Sequence, residues 1–109
     1  MKIAIYSRVV EFDQHKDVQQ LFDELAKENI APVVWQPFLD TIKSDIKIPS
    51  KLSVFSNSEE LDESVDFLIS LGGDGTLLDT VTLVRDKNIP VLGINFGRLG
   101  FLSSIGRKE

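Results

Sequence analysis

Apolar side chains recur along this chain with two different periods, and their alternation predicts the fold. Residues Lys2 to Ser7 hold a short unbroken apolar run, as a buried strand would. From Asp17 to Glu28, Val18, Leu21, Phe22 and Leu25 fall at i, i+3, i+4 and i+7, one face of a helix, and Asn29 is a natural stop. Ala31 to Trp35 reads as a second strand, with β-branched Val33 and Val34. The stretch from Pro37 to Ser53 is irregular, although Phe38, Leu39 and Ile42 share a face suited to a short helix. Val54 and Phe55 suggest a short strand, and Ser58-Glu59-Glu60-Leu61 a short helix start with Ser58 as its cap.

The pattern sharpens further on. Phe67-Leu68-Ile69-Ser70-Leu71 is a compact apolar run that predicts a central strand buried on both faces. A glycine loop follows, Gly72-Gly73-Asp74-Gly75-Thr76. Leu77, Leu78, Val81 and Val84 then mark a helix that ends near Lys87-Asn88, and Pro90 bars its continuation. Val91 to Ile94 reads as another buried strand, and a second loop runs from Asn95 through Gly97 and Gly100 to Leu102. Strands alternating with helices imply parallel pairing in an open α/β sheet. Ligands of such sheets bind at the carboxyl ends of the strands, where both glycine loops would lie.

Composition narrows the function. With 109 residues the chain fits one domain, and 42% hydrophobic with 27% charged residues is ordinary for a globular protein. A net charge of −5 offers no basic footprint for nucleic acid. A small anion stays within reach, because backbone N–H groups bind it without side-chain charge. The chain has no cysteine, which excludes a disulfide framework, a zinc-thiolate site and a cysteine nucleophile, and agrees with a cytoplasmic setting. The first residues are too short an apolar stretch for a signal peptide, and no run of about 18 apolar residues predicts a membrane span.

The first loop carries the chemistry. A tight strand-to-helix turn explains one or two glycines, but not three around a carboxylate. Free N–H groups at a helix start form an anion site, and missing Cβ atoms let a phosphate approach. The loop lacks the lysine of a Walker A motif. Asp74 beside a phosphate site needs a task of its own: holding a divalent metal, or accepting a proton from an attacking hydroxyl. In the second loop Asn95 is placed to bond a ribose or phosphate and Phe101 to line a nucleotide pocket. The plainer alternative is a turn cap at Asn95 and core positions at Leu99, Phe101 and Leu102. Arg98 reads as a surface arginine, His15 as exposed and structural, and Trp35 as core.

The two loops together, Gly72 to Leu78 and Gly93 to Leu102, resemble the NAD kinase family. The first motif alone is shared with lipid kinases and is close to that of phosphofructokinases; the second, at its distance, decides. The resemblance implies an open, mostly parallel, Rossmann-like α/β sheet in three layers. It implies transfer of a phosphoryl group from ATP or polyphosphate to the adenosine ribose 2′-hydroxyl of NAD, giving NADP, with a divalent metal, magnesium being the expected ion. It makes Asp74 the proton acceptor, Asp74, Gly75 and Phe101 NAD contacts, and Gly72, Gly73, Thr76, Asn95 and Gly97 parts of the phosphate and nucleotide loops. Some relatives carry a basic residue where this chain has Asp79, so no phosphate contact is assigned there. The family continues into a β-rich C-terminal domain. Residues 1–109 are therefore expected to be a single N-terminal domain, inactive alone, of a homo-oligomeric cytoplasmic enzyme. A lipid or sugar kinase of the same superfamily and a non-catalytic nucleotide-binding module are the alternatives.

Overall fold

The computed structural model describes residues 2–8, 15–49, 51–85 and 87–94. Five strands are described: β1 (Lys2–Tyr6), β2 (Ala31–Trp35), β3 (Ser53–Phe55), β4 (Phe67–Leu71) and β5 (Val91–Ile94). The described α-helices are α1 (His15–Lys27), α2 (Gln36–Ile42) and α3 (Asp74–Val84), and a 3-10 turn lies at Ser58–Glu60. All the pairings are parallel, in the order β3-β2-β1-β4-β5.

Two apolar clusters lie on opposite faces of the sheet. One joins Ile3 and Ile5 of β1 and Ile69 and Leu71 of β4 to Val18, Leu21, Phe22 and Leu25 of α1 and Phe38, Leu39 and Ile42 of α2. The other joins Ala4, Tyr6 and Leu68 to Phe55, Leu61, Val65, Val84 and Ile89. Successive residues of a strand point to opposite faces, so Ile3 and Ile5 serve one layer and Ala4 and Tyr6 the other. The three-layer α/β architecture implied by the sequence is present. The strand order accounts for it: β1 to β3 progress one way across the sheet and β4 to β5 the other, so connections of one hand put their helices on opposite faces.

The interior strands match the sequence reading closely. Asn29 closes α1 in the left-handed region at φ 58°, a conformation asparagine tolerates. Four details differ. The supposedly irregular connection begins with α2, which Pro37 opens at a position where a missing N–H costs nothing. The cap of the 3-10 turn is Asn57, whose side chain accepts from the Glu60 N–H at 3.1 Å, while Ser58 Oγ donates to the Leu83 carbonyl. Helix α3 ends at Val84, since Arg85 turns to φ 49°. Strand β5 follows only β4 in the sheet order and is not fully buried, with Leu92 36% exposed.

Candidate functional site

The strand order reverses between β1 and β4: the chain builds outward from β1 in one direction and from β4 in the other. A crevice outside the carboxyl ends at such a switch point is where open α/β sheets bind ligands. The segments leaving those two ends are Ser7-Arg8 and Gly72-Gly73. Their base is anchored on both sides: Ser7 Oγ donates to the Leu71 carbonyl at 2.8 Å, and the Gly72 N–H donates to the Ile94 carbonyl at 2.8 Å.

Each glycine of the loop serves a different purpose. Gly72 sits at φ 148°, and a Cβ there would lie 2.7 Å from Thr76 Oγ1, so both backbone and space demand glycine. Gly73 is the extended N-cap of α3, and a Cβ there would meet no protein atom within 4 Å. The surface above Gly73 is therefore open for a ligand. Gly75 lies under a guanidinium, because a Cβ there would be 3.0 Å from Arg8 Nη1.

Asp74 begins α3 and is exposed. Its carboxylate joins no salt bridge among the described residues. The group is thus accessible beside the open backbone of Gly73, as a proton acceptor must be. Thr76 is buried against Gly72, so its side chain braces the turn. The structure brings Gly72, Gly73, Asp74, Gly75 and Thr76 together. Asn95, Gly97 and Phe101, with Arg98, lie outside the described residues.

Sequence reasoning missed a second charged group at the same place. Arg8 pairs with Asp79 through Nε–Oδ2 at 2.6 Å and Nη2–Oδ1 at 3.0 Å, and Nη2 also donates to the Gly75 carbonyl at 3.2 Å. Tyr6 Oη donates to Asp79 Oδ2 at 2.8 Å. The Arg8 and Tyr6 hydrogen bonds hold the Asp79 carboxyl below its usual range, and the same ion pair raises the Arg8 guanidinium. Burial, then the Asp79 hydrogen bond and charge, push the Tyr6 phenol up to about 12. The available signal was a lone cation at the end of a buried strand. His15 also differs from its reading as exposed. Its side chain is 12% exposed, and Asp45 Oδ2, in the turn after α2, lies 3.2 Å from Nδ1.

Among the described residues no three His, Cys, Asp or Glu side chains form a metal cage. Magnesium needs no such cage: it is commonly held by substrate phosphates with one or two carboxylates. A surface groove of about 810 Å³ runs along α1 beside Asp45 and Ile46, away from the glycine loop. Its lining sets Lys16 and Lys27 against Asp23, Glu24 and Asp45, so it offers no net positive charge to a nucleotide.

A family model described as the ATP-NAD kinase N-terminal domain matches residues 22–109. The chain belongs to the NAD kinase family. An NAD kinase of Flavobacterium psychrophilum is 40% identical, and one of Christiangramia forsetii 39%, each over 109 residues. Each match covers 100% of this chain and 37% of the relative, so the chain spans a little over a third of their length. A crystal structure of yeast NADH kinase complexed with NADH shares the fold, with a TM-score of 0.71 at 23% identity over 94% of this chain and 31% of that one. Among the described residues no helix is long and apolar enough to cross a membrane.

Proposed function

We propose that this chain supplies the base and the phosphate-handling loop of an NAD kinase that makes NADP from NAD. The observation that carries this reading is the exposed carboxylate of Asp74 at the start of α3, beside the unobstructed backbone of Gly73, at the switch point of the sheet. In the reaction, the adenosine ribose 2′-oxygen of NAD attacks the terminal phosphorus of ATP or polyphosphate. Asp74 accepts the hydroxyl proton, and the shortened donor departs with the electron pair of the broken P–O bond. The N–H groups at the α3 start face the phosphates, and the helix dipole favours their charge. A bound magnesium ion would neutralise phosphate charge on the donor. Asn95, Gly97 and Phe101 complete the nucleotide contacts. We propose a cytoplasmic setting and a homo-oligomeric full-length enzyme.

The test is Asp74→Asn in the full-length protein, assayed with NAD, diacylglycerol and fructose 6-phosphate as acceptors. Wild type is expected to phosphorylate NAD alone, and the variant to lose about 10²–10⁴-fold in turnover, the range of general-base catalysis, with its melting temperature little changed. Near-normal NADP formation by Asp74→Asn ends the assignment of the base. A preference for either other acceptor ends the NAD reading.

A further inference from the structure

We propose that Arg8 is a nucleotide-phosphate-binding residue of this site, held in place over the first turn of α3 by Asp79 and Tyr6 and given room by Gly75. This rests on the kinase reading above and adds a residue to it. Arg8 leaves the carboxyl end of β1, at the switch point. The described segments leaving the strand ends are Ser7-Arg8, Gln36-Pro37, Ser56-Asn57 and Gly72-Gly73, and Arg8 is their one cationic residue. In a chain of net charge −5, with Asp74 at the helix start, it places a countercharge against Gly75 of the proposed phosphate loop.

Its geometry suits that task. The bonds to Asp79 and Gly75 use Nε–H and the Nη2 hydrogens, leaving the Nη1 hydrogens outside this set. Nη1 lies over Gly75, next to Asp74, and the side chain stays 58% exposed. Asp79 therefore occupies one edge of the fork and leaves another to a phosphate, whose oxygens match a guanidinium in spacing and charge. Asp79 itself is oriented by Tyr6 from inside the sheet face. Part of the entropy an arginine loses on gripping a ligand has thus been lost before the ligand arrives. An ion pair this exposed contributes little to folding, so stability alone does not account for the arrangement.

The experiment varies NAD and ATP separately in steady-state assays of the full-length protein, using Arg8→Gln, Arg8→Lys, Asp79→Asn and the Arg8→Gln/Asp79→Asn double variant. Melting curves confirm folding, and Arg8→Lys serves if Arg8→Gln does not fold. Arg8→Gln is expected to lower kcat/KM for at least one nucleotide by about tenfold or more, and the affected substrate identifies whether the phosphate is the donor's or NAD's. Arg8→Lys should recover part of the loss by restoring charge, and Asp79→Asn should cost less than Arg8→Gln. Values within twofold of wild type for both nucleotides in Arg8→Gln overturn the proposal. Equal losses in Arg8→Gln, Asp79→Asn and the double variant also overturn it, because they mark a staple and not a ligand. In either case a wild-type enzyme silenced by Asp74→Asn leaves the kinase reading intact. A wild type that makes no NADP sinks that reading and this inference with it.

Discussion

Helices α1 and α3 cover opposite faces of one sheet with opposite chemistry. α1 docks through Val18, Leu21, Phe22 and Leu25, all buried. α3 docks through Thr76, Thr80 and Val84, while Leu78 is 70% and Val81 59% exposed. The threonines are short, and Thr80 satisfies its hydroxyl on the Leu77 carbonyl at 2.6 Å. Beneath α3 the strands also carry polar groups among their apolar ones: Ser70 Oγ is buried with no partner among the described residues, and Tyr6 reaches out to Asp79. One face is packed for stability. The other gives up apolar packing and holds the loop, the carboxylate and the arginine.

The largest expected effect tests that contrast directly. Phe22→Ala removes a fully buried ring from the α1 layer and should destabilise the fold by about 3–5 kcal/mol. Leu78→Asn, on the exposed face of α3, should stay within about 0.5 kcal/mol. Denaturant unfolding of the 109-residue chain measures both. Similar losses at the two positions would show that the helices are equally packed.

The same contrast explains what could be read in the sequence. The interior strands β1, β2 and β4 were legible because strands buried on both faces are continuously apolar, and α1 because its apolar spacing is its packing face. α3 was found, but of its inward face only Val84 was. Leu77 and Val81 share the i, i+4 spacing of Thr76 and Thr80, and hydropathy favours the pair that faces outward. The glycine loop and Asp74 were legible because turn and chemistry are encoded in adjacent residues. Arg8 was not, since its contacts reach residues 67 and 71 positions away, a proximity that only the β1–β4 pairing creates.

A smaller effect separates two adjacent glycines of the loop. Gly72→Ala places a methyl at positive φ and 2.7 Å from Thr76 Oγ1, so a loss of about 2–3 kcal/mol is expected. Gly73→Ala meets open space and should cost about 0.5 kcal/mol, mainly from poorer capping. In the full-length enzyme, the Gly73→Ala methyl would enter the proposed phosphate path, so turnover should fall while the melting temperature holds. Equal destabilisation by the two substitutions would mean that the loop is one packed unit. Full activity in Gly73→Ala would mean that no phosphate passes over that residue.

The smallest effect lies in the polar network of the α3 face. Tyr6 is the chain's single tyrosine, so alkaline absorbance follows its phenol alone. Its pKa is raised from 10.0 to about 12, first by burial and then by Asp79 as hydrogen-bond acceptor and as a neighbouring negative charge. The folded state thus binds the phenolic proton more tightly than the unfolded chain. The associated stability is complete below pH 10.0 and is lost as pH rises towards about 12. Asp79→Asn removes the charge and weakens the acceptor but leaves burial, so the midpoint should fall while staying above the ordinary phenol value. A midpoint unchanged by Asp79→Asn would show that Asp79 does not hold Tyr6, and a wild-type midpoint near 10.0 would show that the phenol is as hydrated as an exposed one. Either result would remove the inner support of Asp79, and Arg8 would then be held by a partly exposed carboxylate free to swing away from the loop.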